Sequence, residues 1–219
     1  MDKKFIKQLG DELYAALVSG KPVEPLTNRF PDITIEDAYL IQQQFISHRL
    51  NSGEKVVGKK IGVTSKAVMN MLGVGQPDFG YMLDGMAYQE GQEINIGSLI
   101  QPKAEGEIAF VMKKDLMGPG VNAADVLAAT EGVMVCFEIV DSRIRDWKIK
   151  IQDTVADNAS CGGFVLGSKL VDVHDVDLIH CGMVLGRDED LRHRIVLQYL
   201  PQQMGDQGAL AGAGWALQC

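Results

Sequence analysis

Apolar residues recur at helical spacing from the start of the chain. Phe5, Ile6, Leu9, Leu13, Ala16 and Leu17 fall on one side of a helix that Gly20 ends, with Pro22 and Pro25 marking the loop beyond. A second helix is predicted after Thr34, whose hydroxyl can cap it with Asp37 three residues on. Ala38, Ile41 and Phe45 form its apolar face, and polar residues continue on its outer side through Arg49. From "EKVVGKKIGVTS" the pattern changes to a glycine- and valine-rich strand over 55–63. "SKAVMNMLG" reads as a short helix between a Ser65 cap and a Gly73 stop, and "GQPDFGYMLDG" as a loop. Further strands are predicted at 93–96, 106–112, 133–140, 163–166 and 177–185, with a helical connection over 122–131 capped by Asn122.

These elements predict the α+β class: a helical N-terminal lobe over 1–53, a β-rich body over 54–185 and a tail over 186–219. In the tail, "LRHRIVLQYL" (191–200) is expected to form a short helix. The remainder, a mix of Arg, Gln and Gly with poor periodicity, is expected to be loosely ordered.

At 219 residues, 46% hydrophobic and 23% charged, the chain can build one good core, or a main domain with a small lobe. A formal charge of −8 argues against a nucleic-acid partner, which needs a basic footprint, and is compatible with a cation-dependent site. "MDKKFIKQLGDELY" is charged from its second residue, so neither a signal peptide nor a membrane span is expected there. Cysteines 136, 161, 181 and 219 lack C-x-x-C spacing, which points away from a zinc cluster or disulfide framework and toward a cytoplasmic protein with reduced thiols.

The charges change the picture most in "QPKAEGEIAFVM" (101–112). Strand alternation puts Ile108, Phe110 and Met112 on one face and projects Glu105 and Glu107 together from the other. A solvated face is the commoner fate of such a pair. A third carboxylate weighs against it: Glu138 is the single charge within the apolar run "GVMVCFEIV", between Phe137 and Ile139. A mid-strand glutamate in such company is paired, protonated or bound to a cation. Three carboxylates without a nearby histidine suit magnesium or manganese. Spacing alone leaves both readings open.

Upstream, Lys60 shares a strand face with Gly58 and Gly62, which leaves space beside it, although a surface lysine on an edge strand would look the same. Asp78 lies between Pro77 and Phe79, where a turn aspartate usually only caps backbone. "DTVADNASCGG" (153–163) fits either an ordinary turn or an active-site loop.

Three longer stretches carry a family resemblance: "GKKIGVTSKAVMNMLGVGQPDFGYMLD", "PKAEGEIAFVMKKDLMGPGV" and "EIVDSRIRDWKIKIQDTVADNASCGGFVLG". They closely resemble the 2-hydroxypenta-2,4-dienoate hydratases, also called 2-keto-4-pentenoate or vinylpyruvate hydratases. These belong to the fumarylacetoacetate hydrolase superfamily and act in bacterial meta-cleavage pathways for aromatic compounds. The resemblance implies a mixed β-roll, Mg²⁺ or Mn²⁺ held by Glu105, Glu107 and Glu138, and an active site with Lys60, Asp78 and Ser160. It also implies a small-molecule 2-hydroxydienoate substrate, a homo-oligomer, association with the pathway decarboxylase or aldolase, and neither nucleic acid nor membrane as partner.

The competing family reading is the sister 2-oxo-3-hexenedioate (4-oxalocrotonate) decarboxylase. The Lys59-Lys60 pair and the P-D-F-G-Y stretch look like the hydratase, since the decarboxylase usually has a proline before its lysine and lacks that Asp-Phe. An acylpyruvate hydrolase is disfavoured because the sequence offers no candidate histidine–carboxylate pair for activating water: His48, His174, His180 and His193 sit in polar or terminal segments. The resemblance runs to about residue 185. There the family continues with a Gly-Ala-rich segment, a helix and closing strands, and this chain has a different tail, as a frameshift would produce. A β-roll incomplete at its C-terminus, acting only as a non-catalytic associating subunit, is the expectation from a different class.

Overall fold

A computed structural model describes residues 1–188, 194–200 and 215–218, with side chains described through residue 183 apart from 71 and 72. The chain divides into two compact units. The first comprises Met1–Ala87, Asn95–Lys103 and Ile139–Gly163, and the second Tyr88–Ile94, Ala104–Glu138 and Phe164–Cys219.

In the first unit, helix α1 (Lys3–Ser19) starts at Asp2, whose carboxylate accepts from the Lys4 N–H. It ends at Gly20 in the left-handed conformation. It buries Leu9, Leu13 and Ala16 against α3 (Ile35–Asn51), whose first turn is closed by the predicted reciprocal cap between Thr34 and Asp37. Ile41 and Phe45 complete this core. Two short helices were not anticipated, α2 (Leu26–Arg29) and α6 (Ile151–Ala156). The buried Asp153 joins them, accepting from the Thr27 N–H (3.0 Å) and the Thr27 hydroxyl (2.7 Å).

Strand β1 (Val56–Gly62) and helix α4 (Lys66–Leu72) follow as expected, with Ser65 and Gly73 as caps. The predicted loop after them is instead strand β2 (Asp78–Leu83), antiparallel to β1 with Gly62 opposite Asp78 and Lys60 opposite Gly80. The turn signals of Pro77 and Gly80 hid a strand whose alternate residues, Asp78 and Gly80, face inward. Asp78 is therefore a strand residue rather than a turn cap.

A four-stranded sheet has the order β3 (Ala87–Tyr88), β6 (Cys161–Leu166), β5 (Thr130–Asp141), β4 (Pro102–Met112). The strand predicted at 93–96 is not formed; a single 3₁₀ turn occupies Ile96–Ser98, opened by Asn95 accepting from the Gly97 N–H. Helix α5 (Ala123–Ala129) has its expected Asn122 cap, reinforced by Asp125. Along β4 the expected half-buried face is only partly realised. Ile108 is half-buried, but Phe110 and Met112 are each 42% exposed.

A third sheet in the second unit runs β7 (Gly182–Asp188), β8 (Arg194–Leu200), β9 (Trp215–Gln218), all antiparallel. Strand β7 begins after a turn at 178–180 rather than at 177. Strand β8 stands where the short helix over 191–200 was expected. Its "RIVLQYL" is rich in β-branched and aromatic residues, and pairing along all seven positions of β7 overrides the weak helical spacing. The rest of the tail, 189–193, 201–214 and 219, lies outside the described residues.

Candidate functional site

The six predicted site residues fall into two groups, each gathered within one unit. Glu105, Glu107 and Glu138 belong to the second unit, and Lys60, Asp78 and Ser160 to the first.

Strands β4 and β5 are neighbours in the four-stranded sheet, so the E-x-E pair of one meets the mid-strand glutamate of the other. The three residues offer carboxylate oxygens that all lie within 4.8 Å of one another. Glu105 and Glu107 are exposed, whereas Glu138 is 8% exposed on an interior strand flanked by Phe137 and Ile139. Two unit charges 4 Å apart near a protein surface repel by about 4 kcal/mol, so this convergence favours a bound cation or shared proton over three separate anions. Three hard oxygen donors, one buried and two open to solvent, fit a divalent ion that keeps water on its remaining positions.

The lysine group is built differently. Lys60, Gly62, Asp78 and Gly80 share the inner face of the β1–β2 ribbon, with Lys60 and Asp78 as diagonal neighbours about 7–8 Å apart along the backbone. Val57, Lys59 and Ile61 face outward, as the alternation around Lys60 predicted. Asp78 is 1% exposed. A Cβ on Gly62 would collide with Asp78 Oδ1, so the glycine supplies the space that carboxylate occupies. Gln42 of α3 fixes the strand there, its amide donating to the Phe79 carbonyl (2.8 Å) and to the Val155 carbonyl (2.9 Å). Tyr39, also on α3, has its phenol pKa raised, first by burial and further by the charge of Asp78, while the Phe79 backbone pulls it down.

Ser160 closes a 3₁₀ turn over Asn158–Ser160, between α6 and β6. Lys60 Nζ donates to the carbonyl of Ala159 at 2.8 Å, which brings lysine and turn together. Ser160 is 2% exposed, and its hydroxyl lies 3.5 Å from Asp157 Oδ2. Asp157 and Arg143 form a fully buried ion pair, Nε to Oδ1 at 2.5 Å. Burial pushes the Asp157 carboxyl up to about 6, against the lowering pull of Arg143. Among the described residues, His48 and His180 each lie beside a carboxylate. His48 Nε2 lies 2.6 Å from Asp11 across the α1–α3 contact, and His180 Nδ1 lies 2.9 Å from Asp177 within an exposed turn.

No protein-family model matches the chain. Among curated proteins, a 2-hydroxypent-2,4-dienoate hydratase of Pseudomonas putida is 64% identical over 192 residues, covering 87% of this chain and 86% of its own length. A 2-hydroxyhexa-2,4-dienoate hydratase of Comamonas testosteroni is 57% identical over 189 residues, 85% of this chain and 72% of that protein. The chain belongs to the 2-hydroxypentadienoate hydratase family. The fold of this hydratase-family chain is that of the fumarylacetoacetate hydrolase superfamily. A 4-oxalocrotonate decarboxylase from Pseudomonas putida G7, solved with magnesium and adipate, superimposes with a TM-score of 0.82 at 32% identity, over 90% of this chain and 74% of that one. The same decarboxylase has also been solved with calcium and acetate.

Sequence reasoning missed four residues around the lysine group of this family member: Tyr39, Arg143, Asp157 and Asn158. Asp157 and Asn158 carried a signal, as part of the polar run "DNAS"; Tyr39 and Arg143 act across long stretches of chain that no local pattern connects.

Proposed function

We propose that this chain hydrates 2-hydroxypenta-2,4-dienoate to 4-hydroxy-2-oxopentanoate in aromatic catabolism, using Mg²⁺ or Mn²⁺ held by Glu105, Glu107 and Glu138. Membership of the hydratase family makes the chain a hydro-lyase, and 64% identity along 86% of a relative so named supports this substrate class. The 32% identity to the decarboxylase is half of that and accompanies a shared fold, so the hydratase reading is preferred. The observation that carries the metal reading is the convergence of the three carboxylates within 4.8 Å.

A divalent ion, when bound, supplies Lewis acidity toward the carboxylate and C2 oxygen of such a substrate. The remaining roles fall to side chains. Loss of the C2 hydroxyl proton and protonation at C5 convert the dienol to a 2-oxo-3-enoate, and water then adds at C4 while C3 takes a proton. Lys60, a cation on a flexible stem, balances negative charge developing at the C2 oxygen. Asp78, held in place beneath Gly62, carries protons between water and the substrate carbons. Ser160 hydrogen-bonds to the substrate carboxylate. A cytoplasmic homo-oligomer is part of the same proposal, and no helix among the described residues is long and apolar enough to cross a membrane.

The test is the decay of dienol ultraviolet absorbance when freshly made 2-hydroxypenta-2,4-dienoate meets the purified protein with Mg²⁺, with Mn²⁺ and with chelator. Metal-dependent formation of 4-hydroxy-2-oxopentanoate is expected. Faster release of CO₂ from 2-oxo-3-hexenedioate would transfer the chain to the decarboxylase reading. No turnover of either substrate by folded, metal-loaded protein would leave the associating-subunit reading.

A further inference from the structure

Asn158, Ala159 and Ser160 have φ values of 56°, 50° and 53°, three consecutive non-glycine residues in the left-handed region. Such a conformation persists only where its surroundings impose it. Two sets of contacts do so here. The Asn158 side-chain amide grips Tyr81 of β2 at both backbone groups, Oδ1 accepting from the N–H at 2.7 Å and Nδ2 donating to the carbonyl at 2.9 Å. The Arg143 guanidinium spans the turn from below, donating to the carbonyls of Asp157 (2.5 Å) and Cys161 (3.0 Å). Gly80 admits the turn against the strand. A Cβ there would lie 2.6 Å from the Asn158 carbonyl oxygen, 3.0 Å from Lys60 Cγ and 3.2 Å from Ala159 Cβ. The product of this arrangement is one aimed group, the Ala159 carbonyl, which takes the Lys60 ammonium at 2.8 Å.

We infer that Asn158 is a positioning residue for Lys60, acting by locking the 157–161 turn onto β2 so that the Ala159 carbonyl holds the lysine amine in one place. The inference rests on the reading that Lys60 acts on the substrate. Its physical basis is that a flexible lysine stem samples many rotamers, and a displacement of about 1 Å at a reacting group can cost on the order of 100-fold in rate.

The test compares Asn158→Gly, Asn158→Asp, Lys60→Ala and the double variant Asn158→Gly/Lys60→Ala, each loaded with Mg²⁺, by kcat and KM on 2-hydroxypenta-2,4-dienoate and by thermal melting. Glycine accepts the left-handed backbone but loses the grip on Tyr81, so any effect comes from the lost amide rather than from backbone strain. Asn158→Asp keeps the acceptor for the Tyr81 N–H and serves if the glycine variant does not fold. For Asn158→Gly, kcat is expected to fall about 10- to 100-fold with KM within about threefold, and Asn158→Asp to fall between it and the parent. In the Lys60→Ala background the glycine substitution is expected to add nothing. Full activity in a folded Asn158 variant, or an equal loss in the presence and absence of Lys60, would overturn the inference and leave the reading of the site intact. A fully active Lys60→Ala variant would overturn that reading, and the inference with it.

Discussion

Asp78 lies 1% exposed in space that Gly62 leaves for it, and Lys60 already has a backbone carbonyl for its ammonium. Glu105 and Glu107 are instead exposed to solvent, with carboxylate oxygens within 4.8 Å of those of the buried Glu138. The lysine group is held by the chain's own hydrogen bonds and close packing, down to the buried Arg143–Asp157 pair beneath it. The carboxylate group fits a divalent ion supplied from outside the chain. Removing protein partners should therefore damage the first, and removing metal the second.

The largest expected effect separates the two most sharply. Arg143→Met leaves Asp157 without its counter-ion and should cost about 3–5 kcal/mol in denaturant unfolding at neutral pH. Burial already raises the Asp157 carboxyl to about 6, and losing Arg143 raises it further. An acid whose folded pKa is raised is least costly when protonated, so the variant's deficit should shrink from pH 8 to pH 5. A deficit independent of pH would contradict this account of the pair.

Next in size, Mg²⁺ at 100 times its dissociation constant should stabilise the parent by about 2.7 kcal/mol, and chelator should reverse it. In Glu138→Gln this stabilisation should fall to about half or less. Gly62→Ala should cost about 1–3 kcal/mol, since the new methyl group and Asp78 cannot both occupy their places, and its Mg²⁺ stabilisation should be unchanged.

The smallest effect lies remote from both groups. Lys7 first, then His48 and Gln44, hold the Asp11 carboxyl down at about 2. Its contribution is fully present above about 3.8 and lost as pH falls through about 2. Because Asp11 is more than a third exposed, Asp11→Asn should cost less than about 1 kcal/mol, visible only above that window in acid-unfolding curves.

What could be read from the sequence was what local periodicity encodes. Period-two alternation placed Glu105 beside Glu107, the glycines flanking Lys60 marked its cleared face, and Thr34–Asp37 and Asn122 announced their helices. Strand β2 was hidden because Pro77 and Gly80 carry turn signals that pairing with β1 outweighs. The left-handed turn at 158–160 was invisible because none of its residues is glycine. Nothing local links Arg143 to Cys161 or Asn158 to Tyr81, 77 residues away, and those long-range contacts are what hold the lysine group together.

The most direct test of the division between the two groups is Mn²⁺ binding followed by electron paramagnetic resonance in the parent, Glu107→Gln, Glu138→Gln and Lys60→Ala proteins. One strong site is expected, weakened at least about tenfold by either glutamate substitution and left nearly unchanged by Lys60→Ala. Glutamate variants that bind Mn²⁺ as tightly as the parent would contradict it.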